Sequence, residues 1–238
     1  MSLSKLLNDA PRYDATLPSN GEVVKYRPFL VKEQKVLMIA AETKDSKQMI
    51  TAMIDCVNNC TQNIDAKKLP TYDLDHLFLQ IRSKSIGETA KISTTCGNCQ
   101  NQNIVDVKLT EIKFDNNIKD NEIKLSDKVM LKMKPPTYEV MLNNEGIFTK
   151  EDISATEILF ETMALCMDSV TTDEENISLK DETKEEISNF IDSFSNDQLK
   201  LVTEYIESLP KASYEEEFIC KSCENKNVFK LNGIQDFF

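Results

Sequence analysis

The segment TTCGNCQNQNIVDV (residues 94–107) contains a C-x-x-C motif, and EFICKSCENKNVFKL (residues 217–231) contains a second one near the other end of the chain. In both segments the cysteine pair lies between short runs with the strand-like pattern of apolar and polar residues. Each segment therefore predicts a β-hairpin with two cysteines in its turn. The question is why one chain makes this turn twice.

Two C-x-x-C turns together supply four thiolates, and four thiolates at the corners of a tetrahedron are a typical zinc site. The long insertion between the turns is no obstacle, because the entropy of loop closure grows only with the logarithm of loop length. We expect one metal to join the two hairpins into a single β-ribbon through Cys96, Cys99, Cys220 and Cys223. Zinc is the expected metal, and iron in a rubredoxin-like geometry is the alternative. A closed site of this kind favours a structural role over catalysis.

Two other interpretations of the cysteine pairs stay open: free thiols that pack in a core, or a redox pair. The redox interpretation is disfavoured because neither motif follows a strand and opens a helix, as thioredoxin-type sites do. Each turn has some local support. Gly97 lies inside the first turn, and Asn101 and Asn225 follow the second cysteine of each pair, where a positive φ is tolerated.

Composition narrows the class of protein. The chain has 238 residues, 40% of them hydrophobic, a formal net charge of −12 and seven cysteines. We expect no membrane-spanning segment, because no window approaches the roughly 20 apolar residues that one requires. The N-terminus also lacks a signal-peptide pattern, so we expect a cytosolic, reducing compartment in which C-x-x-C motifs bind metal rather than form disulfides.

Nothing in the sequence predicts an enzyme or a small-molecule substrate. There is no phosphate-binding glycine motif and no nucleophile elbow, and the chain has only five glycines. His76 is the only histidine, which excludes a zinc enzyme with two histidine ligands. Cys56, Cys60 and Cys166 fall within apolar helical patterns and are expected in the core.

The expected fold class is α+β: a helical body with a discontinuous, zinc-ribbon-like pair of hairpins. We expect an extended N-terminal arm over residues 1–30 and a helical region over residues 31–86. The first hairpin and a following strand occupy residues 87–135, and a second helical region covers residues 136–212. Residues 213–238 form the second hairpin and complete the ribbon.

The helices are predicted from apolar residues that recur at three- and four-residue spacing. Between residues 31 and 86 this spacing indicates three helices, the second with Ser46 as its candidate N-cap. In the later helical region SNDQLKLVTEYIESLP predicts a helix that has Ser195 as its cap and stops before Pro210.

A nucleic-acid-binding zinc ribbon is the runner-up, because ribbons with four cysteines often bind nucleic acid. The charges disfavour it: residues 84–115 carry four lysines and four acids, and residues 211–238 carry four lysines and five acids. Neither hairpin predicts a basic patch with interleaved aromatic residues. The aromatic residues of KYRPFL and GIQDFF suggest instead an interaction protein whose chain ends anchor in a partner or cover its own core.

Several segments resemble the baseplate hub subunit and hub assembly protein family of T-even-like contractile-tailed bacteriophages. These segments, in chain order, are YRPFLVKEQKVLMIAAET, CGNC, LTEIKF, MKPPTY and CKSC. The resemblance implies a structural or assembly component of the tail baseplate that contacts other baseplate or tail proteins. It further implies a virion protein assembled in the cytoplasm of the host bacterium, and it brings no catalytic residues.

Overall fold

The computed structural model describes residues 10–115, 117–144 and 154–231. Within these residues the chain forms seven α-helices and several small antiparallel sheets, which confirms the α+β prediction. The chain divides into two compact units, one made of Met1–Asp115 with Lys211–Phe238 and the other of Asn116–Pro210. No helix in the described part is long and apolar enough to cross a membrane.

The first unit begins with a hairpin of β1 (Tyr13–Thr16) and β2 (Val23–Tyr26). This differs from the extended arm expected over residues 1–30, of which the first nine lie outside the described residues. The hairpin forms because buried and exposed residues alternate along both strands: Ala15 and Val24 are buried, while their neighbours along each strand are exposed. One face of the hairpin therefore belongs to a core, which an arm would not have.

Three helices follow, as predicted: α1 (Val31–Thr43), α2 (Ser46–Cys60) and α3 (Thr71–Ser85). The N-cap of α2 is Asp45 and not Ser46, because the Asp45 carboxylate accepts hydrogen bonds from two backbone N–H groups of the first turn. Ser46 is the first helical residue. Aspartate at this position satisfies donors that the helix itself leaves unpaired.

A buried carboxylate ties the hairpin to α3. Asp73 is fully buried, and its two oxygens accept hydrogen bonds from the backbone N–H of Ser19, at 2.9 Å, and from the Ser19 hydroxyl. Burial raises the pKa of Asp73, although both bonds from Ser19 act to lower it. Desolvation of this carboxylate therefore outweighs the hydrogen bonds that stabilise its charge.

A second buried carboxylate, Glu33, shows the opposite balance. It forms an ion pair with Arg27 at 3.0 Å and accepts the backbone N–H of Leu30 at 2.8 Å, in the first turn of α1. Burial acts to raise the pKa of Glu33, but the hydrogen bonds from Arg27 and Leu30 outweigh it and the pKa is lowered. Arg27 also donates to the carbonyl oxygen of Asn59 at 2.8 Å, so the pair links the hairpin to α1 and α2.

The first half of the ribbon consists of β3 (Thr89–Thr95) and β4 (Gln102–Lys108), which pair antiparallel over their full length. A single 3₁₀ turn, Leu109–Glu111, leads from β4 to the two-residue strand β5 (Lys113–Phe114). Every second residue of β4 is buried, so one face of this hairpin faces a core.

The second unit contains a four-stranded antiparallel sheet. Its strands, in sheet order, are β6 (Glu122–Ser126), β7 (Val129–Met133), β8 (Met167–Thr172) and β9 (Asn176–Ser178). The strands β8 and β9 lie in residues 136–212, the range expected as the second helical region. The preceding helix ends at Cys166, and the β-branched residues in the second half of β8, Val170, Thr171 and Thr172, pair with β7.

The helices of the second unit are α4 (Tyr138–Asn143), α5 (Ala155–Cys166), α6 (Lys184–Asp192) and α7 (Asn196–Ser208). The predicted cap of α7 is confirmed: the Ser195 hydroxyl accepts the backbone N–H of the third helical residue at 3.3 Å. The helix ends two residues before the proline that was expected to stop it.

The chain then returns to the first unit as β10 (Ala212–Ile219) and β11 (Lys226–Leu231). The start of β10 also pairs with β5, through Ala212 with Phe114. The chain therefore leaves the first unit and returns to it at neighbouring positions. Both hairpins contribute to one buried cluster, composed of Ile92, Val105, Val107, Ala212, Tyr214, Phe229 and Leu231.

Replacing Ser19 with alanine should destabilise the protein by roughly 1–3 kcal/mol, because the buried Asp73 carboxylate then loses a hydrogen-bond donor. The free energy of unfolding in denaturant measures this. The matched control is alanine at Ser93, an exposed serine on β3, which should change stability by less than about 0.5 kcal/mol. Equal effects of the two substitutions would show that the Ser19–Asp73 contact contributes nothing.

The raised pKa of Asp73 also predicts a dependence of stability on pH. The folded protein holds this proton more tightly than the unfolded chain, where the ordinary value is 3.8. The contribution of Asp73 to stability is therefore full below that value and is lost as pH rises through the raised pKa. In Asp73→Asn this loss should vanish, so the stability difference between variant and wild type should change from roughly pH 4 upward. A difference that is constant with pH would contradict the assignment.

Candidate metal centre

The four predicted ligand residues, far apart in sequence, lie together at the tips of the two hairpins. The Sγ atoms of Cys96 and Cys223 are 3.7 Å apart, and those of Cys99 and Cys220 are 3.6 Å apart. All four ligand atoms lie within 4.8 Å of one another. A tetrahedral zinc site with Zn–S bonds of about 2.3 Å requires sulfur–sulfur separations of about 3.8 Å. The arrangement therefore fits one four-coordinate metal ion shared by both turns.

The cysteines differ in exposure. Cys96 and Cys220, the first of each pair, are fully buried, whereas Cys99 is exposed and Cys223 is half-buried. The sulfur atoms are much farther apart than the roughly 2.05 Å of a disulfide, so all four are free thiols. The centre thus has a buried side that faces the ribbon core and an open side at the tip.

The two turns, which we call the first knuckle (residues 96–101) and the second knuckle (residues 220–225), have the same backbone hydrogen bonds. The Cys96 N–H donates to the carbonyl of Asn101 at 2.9 Å, and the Cys220 N–H donates to the carbonyl of Asn225 at 3.0 Å. A further backbone bond in each knuckle, from the residue after the second cysteine to the carbonyl of the first, is 3.0 Å long in both. The two knuckles, which have similar sequences, therefore also have equivalent backbone hydrogen bonds.

The positive φ of each knuckle is one residue earlier than expected. It falls on Gln100 (60°) and Glu224 (56°), and not on Asn101 or Asn225. These are the positions directly after the second cysteine, where such knuckles often have glycine. Gly97 does not have a positive φ, and a Cβ added to it would make only an ordinary contact. The first turn therefore does not depend on the glycine inside it.

Backbone N–H groups point at the sulfur atoms. The Ser222 N–H is 3.4 Å from the Cys220 sulfur, and the Asn98 N–H is 3.4 Å from the Cys96 sulfur. The backbone N–H groups of Cys223 and Ser222 lower the pKa of the Cys220 thiol to about 6, and the equivalent groups of the first knuckle lower the pKa of the Cys96 thiol. Because metals bind the thiolate form, these donors favour the ligand state of both cysteines.

Two asparagines, which sequence reasoning missed, bind the backbone of the opposite knuckle, and a third, Asn98, reaches across with its side-chain N–H group 3.7 Å from the Cys223 sulfur. The Asn103 side-chain oxygen accepts the backbone N–H of Lys221 at 3.0 Å, and the Asn227 side-chain oxygen accepts the backbone N–H of Gly97 at 3.0 Å. Each asparagine stands on one hairpin and binds the knuckle of the other. A signal was present, because both segments have the pattern C-x-x-C-x-N-x-N.

The remaining sequence candidates lie outside the centre. Cys56, Cys60 and Cys166 are buried, in agreement with the expected core positions. His76 is half-buried and packs edge-on against Phe114, with ring centroids 5.1 Å apart, and burial lowers its pKa. Across the described residues the four ribbon cysteines are the one group of three or more metal-binding side chains with suitable spacing.

Comparison with models of known protein families identifies a match over most of the chain. The family model described as T4 bacteriophage base plate protein matches residues 10–238. The chain has no significant match among curated proteins or solved structures. The match covers both compact units and both cysteine hairpins.

The left-handed backbone at Gln100 predicts a stabilising substitution. Gln100→Gly should raise the free energy of unfolding by up to about 1 kcal/mol, because glycine adopts this φ without the steric penalty of a Cβ. Thermal unfolding of the wild type, Gln100→Gly and Gln100→Ala provides the measurement. Alanine loses the same exposed side chain but keeps the Cβ, so it should not stabilise. Equal melting temperatures for the two variants would show that the φ imposes no strain.

Proposed function

The chain belongs to the T4 bacteriophage base plate protein family, and on this basis we propose that it acts in the hub region of a phage tail baseplate, as a structural or assembly component. The observation that carries the proposal is the family match, which extends over residues 10–238 and so includes every residue that the structure describes. The family itself points to a structural protein of the virion tail. In the proposal the protein is made and assembled in the cytoplasm of the host bacterium and acts through contacts with other baseplate or tail proteins.

In this proposal a zinc ion bound by Cys96, Cys99, Cys220 and Cys223 clamps the two hairpins. The sulfur separations, the buried first cysteines and the N–H donors all support such a site. Zinc is favoured over iron because a site of this kind needs no redox function in a structural subunit. Bound metal would stabilise the ribbon, since binding free energy adds to folding free energy when the unfolded chain has no assembled site.

The proposed role is not enzymatic. With four protein ligands the metal has no position for water or a substrate, so it would serve as a structural clamp. Membership of a baseplate protein family also favours a structural role over an enzymatic one.

No observation favours the nucleic-acid-binding alternative. The exposed face of β10 and β11 carries both signs of charge, and Lys230 forms an ion pair with Glu215 at 3.3 Å. Binding to phosphate groups requires a concentration of unpaired basic side chains. The mixed charges of this ribbon face do not provide one.

For the protein contacts we propose the outer face of α1, with a neighbouring baseplate protein as its occupant. Leu37 and Ala40 lie on the buried side of this helix, while Val31, Met38 and Ile39 are 78%, 58% and 55% exposed. Large apolar residues grouped on one exposed helix face are typical of protein–protein interfaces. Membership of a family that assembles into a baseplate indicates the class of partner.

The metal clamp predicts one zinc per chain in protein purified without chelator. Cys96→Ser and Cys220→Ser should each lose the metal and unfold with a free energy lower by more than about 3 kcal/mol. Elemental analysis and thermal unfolding provide the measurements. Cys166→Ala, which removes a buried thiol of the second unit, should lower stability and leave the zinc content unchanged. Metal-free wild-type protein, or one knuckle variant that keeps its metal, would contradict the clamp.

The α1 surface predicts an assembly defect without a folding defect. Met38→Glu should change the free energy of unfolding by less than about 0.5 kcal/mol, because the side chain is exposed. Co-expression with the other baseplate proteins of the same phage should show the variant excluded from the assembled complex. Ile104→Glu is the matched control, since Ile104 is a similarly exposed apolar residue on β4. Normal assembly of Met38→Glu would remove α1 from the proposed interface.

A further inference from the structure

The two cysteine hairpins are held together by a reciprocal pair of asparagine side chains. Asn103 precedes the buried residues Val105 and Val107 on the inner face of β4, and Asn227 stands at the equivalent place before Phe229 on β11. Both asparagines are therefore at the knuckle end of the face that forms the ribbon core. They form a polar layer between the apolar cluster and the sulfur atoms.

Each asparagine side chain forms one hydrogen bond within its own hairpin and one to the opposite hairpin. The Asn103 Nδ2 group donates to the carbonyl of Asn101 at 2.9 Å, while its Oδ1 accepts the Lys221 N–H of the second knuckle. In the mirror arrangement Asn227 Nδ2 donates to the carbonyl of Asn225, also at 2.9 Å. The equivalent bonds of the two hairpins agree in length, although the residues they join are 118 and 130 positions apart.

The N–H groups that donate to the two asparagine oxygens belong to Gly97 and Lys221, the residues directly after the first cysteine of each knuckle. Fixing the backbone at Gly97 and Lys221 therefore fixes the direction of the adjoining cysteine side chains. Asn103 has a further link to the centre, because its Nδ2 group is 3.5 Å from the Cys220 sulfur. Asn103 is 3% exposed, so water has little access to its side-chain bonds, whereas Asn227 is half-buried.

We propose that Asn103 and Asn227 are positioning residues that hold the two knuckles in ligand register before any metal binds. This inference rests on the proposed metal clamp and adds to it that the site is preorganised by protein contacts alone. The two bridging bonds, from the Lys221 N–H to Asn103 Oδ1 and from the Gly97 N–H to Asn227 Oδ1, have amide oxygens and not sulfur atoms as acceptors. Second-layer contacts of this kind commonly change metal affinity by about 10- to 100-fold.

The chain provides matched controls for this proposal. Asn101 and Asn225 are the other asparagines of the C-x-x-C-x-N-x-N pattern. Within the described part of the chain their side chains donate only to the next carbonyl of their own hairpin, at 3.2 Å in both cases. Alanine at Asn101 or Asn225 removes a local bond at the knuckle. Alanine at Asn103 or Asn227 removes a bond that crosses between hairpins.

The first measurement is the affinity of the full-length chain for Zn²⁺, by competition with a chromophoric chelator, with Co²⁺ as a spectroscopic probe of tetrahedral thiolate ligation. We expect Asn103→Ala and Asn227→Ala to bind Zn²⁺ about 10- to 100-fold more weakly than wild type. The Asn101→Ala and Asn225→Ala controls should stay within about threefold. Equal affinities in all four variants would overturn the proposal. If the wild type binds neither Zn²⁺ nor Co²⁺, the proposed metal clamp is wrong, and this outcome is distinct from equal affinities in all four variants.

The second measurement is amide hydrogen exchange in the metal-free protein, which tests the bridges independently of affinity. The Gly97 and Lys221 amides should be protected in the metal-free wild type. Asn227→Ala should expose the Gly97 amide, and Asn103→Ala should expose the Lys221 amide, each on the opposite hairpin. An asparagine that only stabilised its own turn would change exchange in its own hairpin. Rapid exchange at both amides in the metal-free wild type would overturn the preorganised site.

Discussion

The packing of the β3–β4 hairpin against the β10–β11 hairpin is the contact on which the first compact unit depends. It joins parts of the chain that are more than a hundred residues apart, such as Cys96 and Cys223 with a separation of 127. Closing so long a loop costs little more entropy than closing a moderate one, and the buried apolar cluster between the hairpins offsets it. The pairing of β5 with β10 then brings the ends of the inserted unit together. The second unit thus folds as an insertion between the two halves of the ribbon.

The ribbon is layered along its length. Its base is apolar, with Val107 and Leu231 almost fully buried, and its tip carries the four sulfur atoms. Between them, side-chain amides accept backbone N–H groups that the knuckles would otherwise leave unpaired. This order has a physical reason. Thiolates and turn amides need hydrogen-bond donors and acceptors that an apolar core lacks, and the asparagine layer provides them where water is partly excluded.

The family and the fold together favour a rigid component of an assembly. The N-terminal hairpin is fixed to the helices by Asp73 and by the Arg27–Glu33 pair, so residues that could have formed a loose arm are part of the unit. The α1 helix, which contacts this anchor through Glu33, exposes large apolar side chains on its other side. A firmly held helix with an apolar outer face loses little conformational entropy when it is covered by a partner. That property suits a subunit of a baseplate.

The sequence alone determined the two cysteine hairpins, the three helices of residues 31–86 and the cap of α7, because these follow from local periodicity and local hydrogen bonding. The sequence also indicated the four cysteines as candidate metal ligands, since residue type and C-x-x-C spacing can be read directly from it. Other features depended on the tertiary structure. The N-terminal hairpin is ordered by burial against helices, and β8 and β9 form because β7 is available for pairing. Asn103 and Asn227 look like ordinary turn residues until the hairpins meet, because their partners are fixed by packing between distant segments and not by anything within reach of a local pattern.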